Sequence, residues 1–336
     1  MKLRVGIVGL GDQWESRHLP AIRTLSDRFE VRGICEQVAH RAERAASELG
    51  TTPVDGFRAL AARDDIDAIL YLADQWFGAT PILAACDHGK AVYSAISLPF
   101  ASDEALVLRR RVEESGIAFM AELPRRHAAA TVRLKELIAT RLGTPRMLFC
   151  HRRVPLSVMP ASAPARDRRS EARDLIELVD WCRYVAGVEP TSVVAVRHAE
   201  TPGGEVDDYQ MMSLDFSHTG RPGDGPLAQI SCGYYMPRVW EEAVTFRPPP
   251  GLQIVCDSGI AFVDLPSTLV WFDAAGRHQE SLDSDRPVGE QMLAQFHRMV
   301  TSLLRHMSGL DDALRAMQIV QAAERSQTEG LRVRLS

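Results

Sequence analysis

The chain has 336 residues, 46% of them hydrophobic and 25% charged, enough to bury the cores of two domains. A formal charge of −5 leaves no basic footprint for nucleic acid, and no apolar run nears the ~20 residues that span a bilayer. Six cysteines stand far apart with no Cys-x-x-Cys pair, which argues against a disulfide framework or a metal knuckle and predicts a reduced, cytoplasmic setting.

The first apolar run, Val5-Gly6-Ile7-Val8, reads as a buried parallel strand, and Gly9 and Gly11 then open a tight turn. Helix-compatible spacing follows over 17–25. In such a strand–turn–helix unit the backbone N–H groups of the turn and of the helix start face outward and can hold a pyrophosphate. That nominates Gly9, Gly11, Asp12, Gln13 and Trp14. Trp14 stands where the dinucleotide fingerprint has its third glycine, so its ring either packs away or crowds the turn. Residues 31–35 read as the second strand, and Glu36 ends it about 25 residues past the turn, near the spacing that serves an adenosine ribose diol. The pattern predicts an NAD site. NADP is the second option, because Arg32 and Arg41 lie close in sequence.

Further along, helical spacing over 38–49 stops at Gly50, a short helix is expected over 57–63, and 66–72 is another buried-strand run. It ends at Asp74-Gln75-Trp76, the ligand end of a parallel strand. Helices over 81–88 and 103–114 alternate with strands over 91–96 and 117–121, the signature of a parallel, doubly wound sheet. The pattern changes near Pro124. A helix over 128–142 leads into a strand over 146–153, then a loop over 155–169 rich in Pro, Ser, Ala and Arg. A helix is expected over 175–186, stopping at Gly187. Seven short strands follow (193–199, 210–217, 228–235, 243–246, 252–256, 260–264 and 269–272), spaced as an antiparallel meander requires. Helices over 290–307 and 311–328 close the chain. The expected domains are 1–123, a dinucleotide-binding α/β domain, and 124–336, an α+β domain on a large, open, mostly antiparallel sheet.

Several segments carry a family resemblance over almost the whole chain: Gly9-Leu10-Gly11, His18-Leu19-Pro20-Ala21-Ile22, Asp67-Ala68-Ile69, Gly89-Lys90-Ala91-Val92, Arg125-Arg126 and Asp312-Ala313-Leu314-Arg315-Ala316. With them the chain resembles the glucose–fructose oxidoreductase/inositol dehydrogenase (Gfo/Idh/MocA) family. The resemblance implies a Rossmann domain for NAD or NADP, and hydride transfer from hydroxyls of sugars, cyclitols or similar small molecules. It also implies a homo-oligomer assembled through the open sheet.

The family's catalytic motifs are altered in this chain. Counted from Gly89-Lys90, its Glu-Lys-Pro places hold Ala95, Ile96 and Ser97, so Ile96 stands beside the cofactor where the family has a lysine, and isoleucine moves no proton. Of 39 basic residues only Lys2, Lys90 and Lys135 are lysines, none well placed to substitute. Aligned back from Gly187, the family's Asp-x-Gly-x-His-x-x-Asp places hold Arg173, Leu175, Glu177 and Asp180. The family's Thr-Pro turn is replaced by Ala73-Asp74, while Gln75 fits the amide position that follows. The candidates for acid–base work are therefore Glu177, Asp180 and His127. The carboxylates, three apart, share one helix face, where mutual repulsion would raise one pKa; a solvated polar face is the alternative. Two other outcomes follow from the lost lysine and histidine. One is NAD-assisted elimination or glycoside cleavage with no net redox change, and the other is a non-catalytic sensor or subunit.

Overall fold

The computed structural model describes residues 1–73, 77–95, 102–155, 168–198, 209–218, 221, 223–236, 249–283, 286–302 and 307–335. The chain forms two compact units, Met1–Pro124 with Arg286–Leu314, and Arg125–Asp285 with Arg315–Ser336. A split at 123/124 therefore leaves out a return of the chain to the first unit. The returning segment carries a helix, whose period does not say which unit it joins, and a strand only two residues long.

The first unit is built on a six-stranded parallel sheet in the order β14-β5-β4-β3-β1-β2. Its strands are β1 (Leu3–Val8), β2 (Phe29–Cys35), β3 (Ala68–Tyr71), β4 (Ala91–Ser94), β5 (Phe119–Ala121) and the short β14 (Met307–Ser308). β3 and β4 are buried at every position, as strands covered on both faces must be. The helices are α1 (Leu19–Thr24), α2 (Ala39–Leu49), α3 (Phe57–Ala61), α4 (Thr80–Asp87), α5 (Ser102–Ser115) and α9 (Val288–Thr301). Gly289, at the start of α9, lies so close to the turn before α1 that a Cβ there would stand 2.8 Å from Arg17 Cγ. The helix expected over 290–307 thus stops at Thr301, and Met307–Ser308 extends the sheet instead. Strand order reverses between β1 and β3, which makes the end of β1 the switch point where such sheets bind ligands.

The second unit carries a nine-stranded sheet in the order β13-β12-β11-β10-β6-β9-β8-β7-β15. The strands are β6 (Pro145–Pro155), β7 (Ser192–His198), β8 (Tyr209–Asp215), β9 (Leu227–Met236), β10 (Leu252–Cys256), β11 (Gly259–Asp264), β12 (Thr268–Asp273), β13 (Gly276–Ser281) and β15 (Val333–Arg334). All neighbours pair antiparallel except β6 with β9. Strand alternation sends Leu148, Cys150, Ala228, Ile230, Val193 and Leu269 into the core, while Met147, Val194, Val196, Leu227 and Phe272 stay exposed on the opposite face. Against the sheet pack α7 (Ala129–Leu137), on β11 and β12, and α8 (Arg168–Ala186), on β6 and β9; α6 (Pro124–His127) precedes α7, and α10 (Leu310–Glu329) meets β7 where the Ala195 N–H donates to Ser326 Oγ. The strand expected over 243–246 and most of the 155–169 loop lie outside the described residues; Arg168 and Arg169 already belong to α8.

Candidate functional site

The glycine turn is set by contact with the end of β3. Gly9 has φ +73°, and a Cβ at Gly11 would fall 2.1 Å from the Leu72 carbonyl oxygen, so only bare backbone fits there. Glu36 leaves β2 directly beside the turn. The Leu10 N–H donates to Glu36 Oε2 at 2.6 Å, and the Gln37 N–H donates to Oε1 at 2.9 Å. The Leu10 carbonyl accepts from Arg41 Nη2. A groove of about 200 Å³ runs along Leu10, Gly11, Asp12, Trp14, Arg41 and Arg44. A glycine turn at a sheet switch point, with an anchored carboxylate at the next strand end, fits a dinucleotide.

Trp14 does not obstruct this turn. It is 4% exposed and packs with Leu10, Leu19, Ala21, Ala45 and Ala46 in the core of the first unit. The chain admits the ring by starting its helix wide. Trp14–His18 is a π turn, in which the His18 N–H reaches back to Gln13 O at 3.1 Å. The bulk that replaces glycine goes under the turn and forms only a wall of the groove. Gln75, Trp76 and Ile96 lie outside the described residues.

The acid–base candidates fall on the second unit. Asp180 is 2% exposed and takes a two-pronged contact from Arg126, Nε to Oδ2 at 2.7 Å and Nη2 to Oδ1 at 2.5 Å, with Arg183 Nη1 at 3.5 Å. Glu177 faces a different guanidinium, with Arg125 Nε 3.3 Å from Oε2. One turn earlier on α8, Asp174 pairs with Arg152 at 3.0 Å. Arg125 and Arg126 also lie over the rings of Trp181 and Tyr184, at 5.3 and 5.0 Å. The face is therefore a ladder of ion pairs, most deeply buried at Asp180, rather than a solvated face. Each carboxylate faces its own cation, so the two do not form the shared site that their spacing suggested. Both oxygens of Asp180 are engaged by arginines. Glu177, a quarter exposed in its side chain and held by one looser contact, is the accessible carboxylate, and His127 at the end of α6 is half-buried.

Two of the three lysines serve structure. Lys90 Nζ donates to Arg63 O and Ile66 O at 2.9 and 2.8 Å, at the foot of β4. Lys135 Nζ donates to Tyr184 O at 3.0 Å in the last turn of α8, and burial pushes its pKa down.

One polar cluster escaped sequence reasoning. Glu122, just past β5, accepts on Oε1 from Arg17 and on Oε2 from His18 Nε2 at 2.9 Å and Tyr93 Oη at 3.0 Å. Burial pushes this carboxyl up, but hydrogen bonds and charge from His18 and Arg17 outweigh it and hold the pKa below the usual 4.5. Burial, with the neighbouring Glu122 charge, drives the Tyr93 hydroxyl well above its usual value, so it remains a donor. The cluster ties the ends of β4 and β5 to the start of α1. Its one sequence signal was a carboxylate directly after a parallel strand, the same signal that marked Glu36.

Comparison with known proteins agrees with this geometry. Residues 3–95 match the profile described as "Oxidoreductase family, NAD-binding Rossmann fold". The chain is 29% identical over 139 residues to D-xylose 1-dehydrogenase (NADP(+)) 2 of Haloferax volcanii, covering 41% of this chain and 42% of the relative. It is 27% identical over 210 residues to inositol 2-dehydrogenase of Mycolicibacterium gilvum, covering 60% of this chain and 57% of the relative. The sequence matches thus span about half the length of these curated relatives. In fold, the chain superposes on the aldose-aldose oxidoreductase from Caulobacter crescentus complexed with glycerol over 100% of both chains, with a TM-score of 0.84 and 16% identity. Residues 3–95 thus match the NAD-binding Rossmann domain of this oxidoreductase family, and the full length shares the fold of an aldose-aldose oxidoreductase.

Proposed function

We propose that the protein is an NAD-dependent oxidoreductase acting by hydride transfer on a sugar-like or cyclitol-like hydroxylated small molecule. The observation that carries this reading is the Glu36 carboxylate, anchored on the Leu10 N–H at the mouth of the glycine turn. When bound, NAD would supply the hydride acceptor. Gly9, Gly11, Asp12 and Gln13 would hold its diphosphate, and Glu36 would accept from the ribose diol while repelling a 2′-phosphate. Gln75 and Ile96 keep their assignment to the cofactor side. With no lysine at position 96, the substrate hydroxyl proton goes to Glu177 or His127. Asp180 fixes Arg126 and, through it, the entry of α6.

The named relatives support the substrate class, since one is a xylose and the other an inositol dehydrogenase. The same reading places the protein in the cytoplasm, and no helix among the described residues is long and apolar enough to cross a membrane. It assigns the exposed apolar face of the nine-stranded sheet, with Val194, Val196, Leu227 and Phe272, to contact with a second copy of the chain. The test is a panel of sugars and cyclitols with NAD, read by absorbance of the reduced cofactor. Growth with a member of the panel supports the reading, and saturable NAD binding with no turnover of any hydroxylated substrate counts against it.

A further inference from the structure

Leu10 lies between two glycines, so the peptide planes on both its sides rotate at little steric cost. Two side chains from other elements remove that freedom. Glu36 takes the Leu10 N–H at 2.6 Å from the end of β2, and Arg41 takes the Leu10 carbonyl from the first turn of α2. The second contact has a directional consequence. In a trans peptide the N–H points opposite to the C=O, so pinning the Leu10 oxygen also aims the Gly11 N–H. Gly11 is the residue where backbone approaches backbone most closely in this turn, and its orientation decides where a bound anion meets a donor.

We infer that Arg41 is a positioning residue for the dinucleotide turn, holding the Leu10–Gly11 peptide so that its N–H is set for a diphosphate before any ligand arrives. This rests on the NAD reading above. It differs from the role that the position of Arg41 in the groove would first suggest, that of a direct partner for a 2′-phosphate. A guanidinium engaged with a backbone carbonyl acts through the peptide, which is common to NAD and NADP. Arg44 supplies a control. It lines the same groove and carries the same charge, but its Nε is turned to Glu48 at 3.1 Å rather than to the turn.

The experiment compares wild type, Arg41→Ala and Arg44→Ala by calorimetric titration with NAD and with NADP, and by hydrogen exchange across residues 9–13 of the ligand-free proteins. Arg41→Ala is expected to weaken both dinucleotides by a similar factor of about ten, the scale of one charge-assisted hydrogen bond, and to speed exchange in the turn. Arg44→Ala should leave exchange unchanged and cost clearly less affinity. Loss confined to NADP would make Arg41 a phosphate ligand, and equal losses in the two variants with unaltered exchange would make it a source of charge. Either result overturns the inference. If wild type binds neither dinucleotide, the oxidoreductase reading falls; the exchange comparison still decides whether Arg41 holds the turn.

Discussion

Leu10 and Glu36, separated by 26 positions, are joined by a hydrogen bond of 2.6 Å from the Leu10 N–H to Glu36 Oε2. The carboxylate that would read the ribose also fixes the turn that would hold the diphosphate. Glu36→Gln should therefore weaken NAD binding by about tenfold and narrow the preference for NAD over NADP, since one change removes both an acceptor and a negative charge. Calorimetric titration with the two cofactors reads both effects, and an unchanged ratio would remove Glu36 from cofactor choice.

Trp14 gives a prediction that runs against sequence intuition. Restoring the fingerprint glycine would look like relief of an obstruction, but the ring is 4% exposed and packed in the core. Trp14→Gly should cost about 3–5 kcal/mol of stability from the vacated volume, with no gain in NAD affinity. Urea unfolding measures the first and titration the second; tighter NAD binding in a stable variant would show that the ring does obstruct.

What the sequence disclosed and what it hid divide along physical lines. The parallel strands were legible because burial on both faces leaves unbroken apolar runs such as Ile69-Leu70-Tyr71, and the open sheet because short apolar segments such as 252–256 recur between turn residues. Met307–Ser308 was invisible because two residues carry no period, and the helix before it carries no sign of which unit it joins. Glu36 was readable from spacing, whereas Glu122 was not, because its partners Arg17, His18 and Tyr93 come from two elements remote from it in sequence. For the same reason Glu177 and Asp180 read as one pair, although their arginines divide them.

That division yields a test on α8. Asp180→Asn leaves Arg126 and Arg183 facing a neutral group in a buried site and should cost about 3 kcal/mol or more in stability. Glu177→Gln, at a quarter-exposed side chain, should leave stability nearly intact while lowering turnover roughly a hundredfold, as loss of a general base does. Unchanged turnover in Glu177→Gln, alongside a loss in His127→Gln, would transfer the proton step to His127.

Glu122 sets an acid limit on the first unit. Its folded-state pKa lies below the usual 4.5, so the unfolded chain binds the proton more readily. The stability it contributes is complete above about pH 4.5 and is lost as pH falls through the folded-state value. Glu122→Gln should lower the urea midpoint at neutral pH and flatten its decline in acid. A variant whose acid profile parallels wild type would show that other carboxylates set the limit.

An oxidoreductase of this kind must bind a nicotinamide dinucleotide at the glycine turn. The most direct measurement is calorimetric titration of the purified protein, first stripped of any carried-over cofactor, with NAD and then with NADP. Saturable binding of NAD at one site per chain, tighter than that of NADP, is the predicted result; no saturable heat with NAD would contradict it.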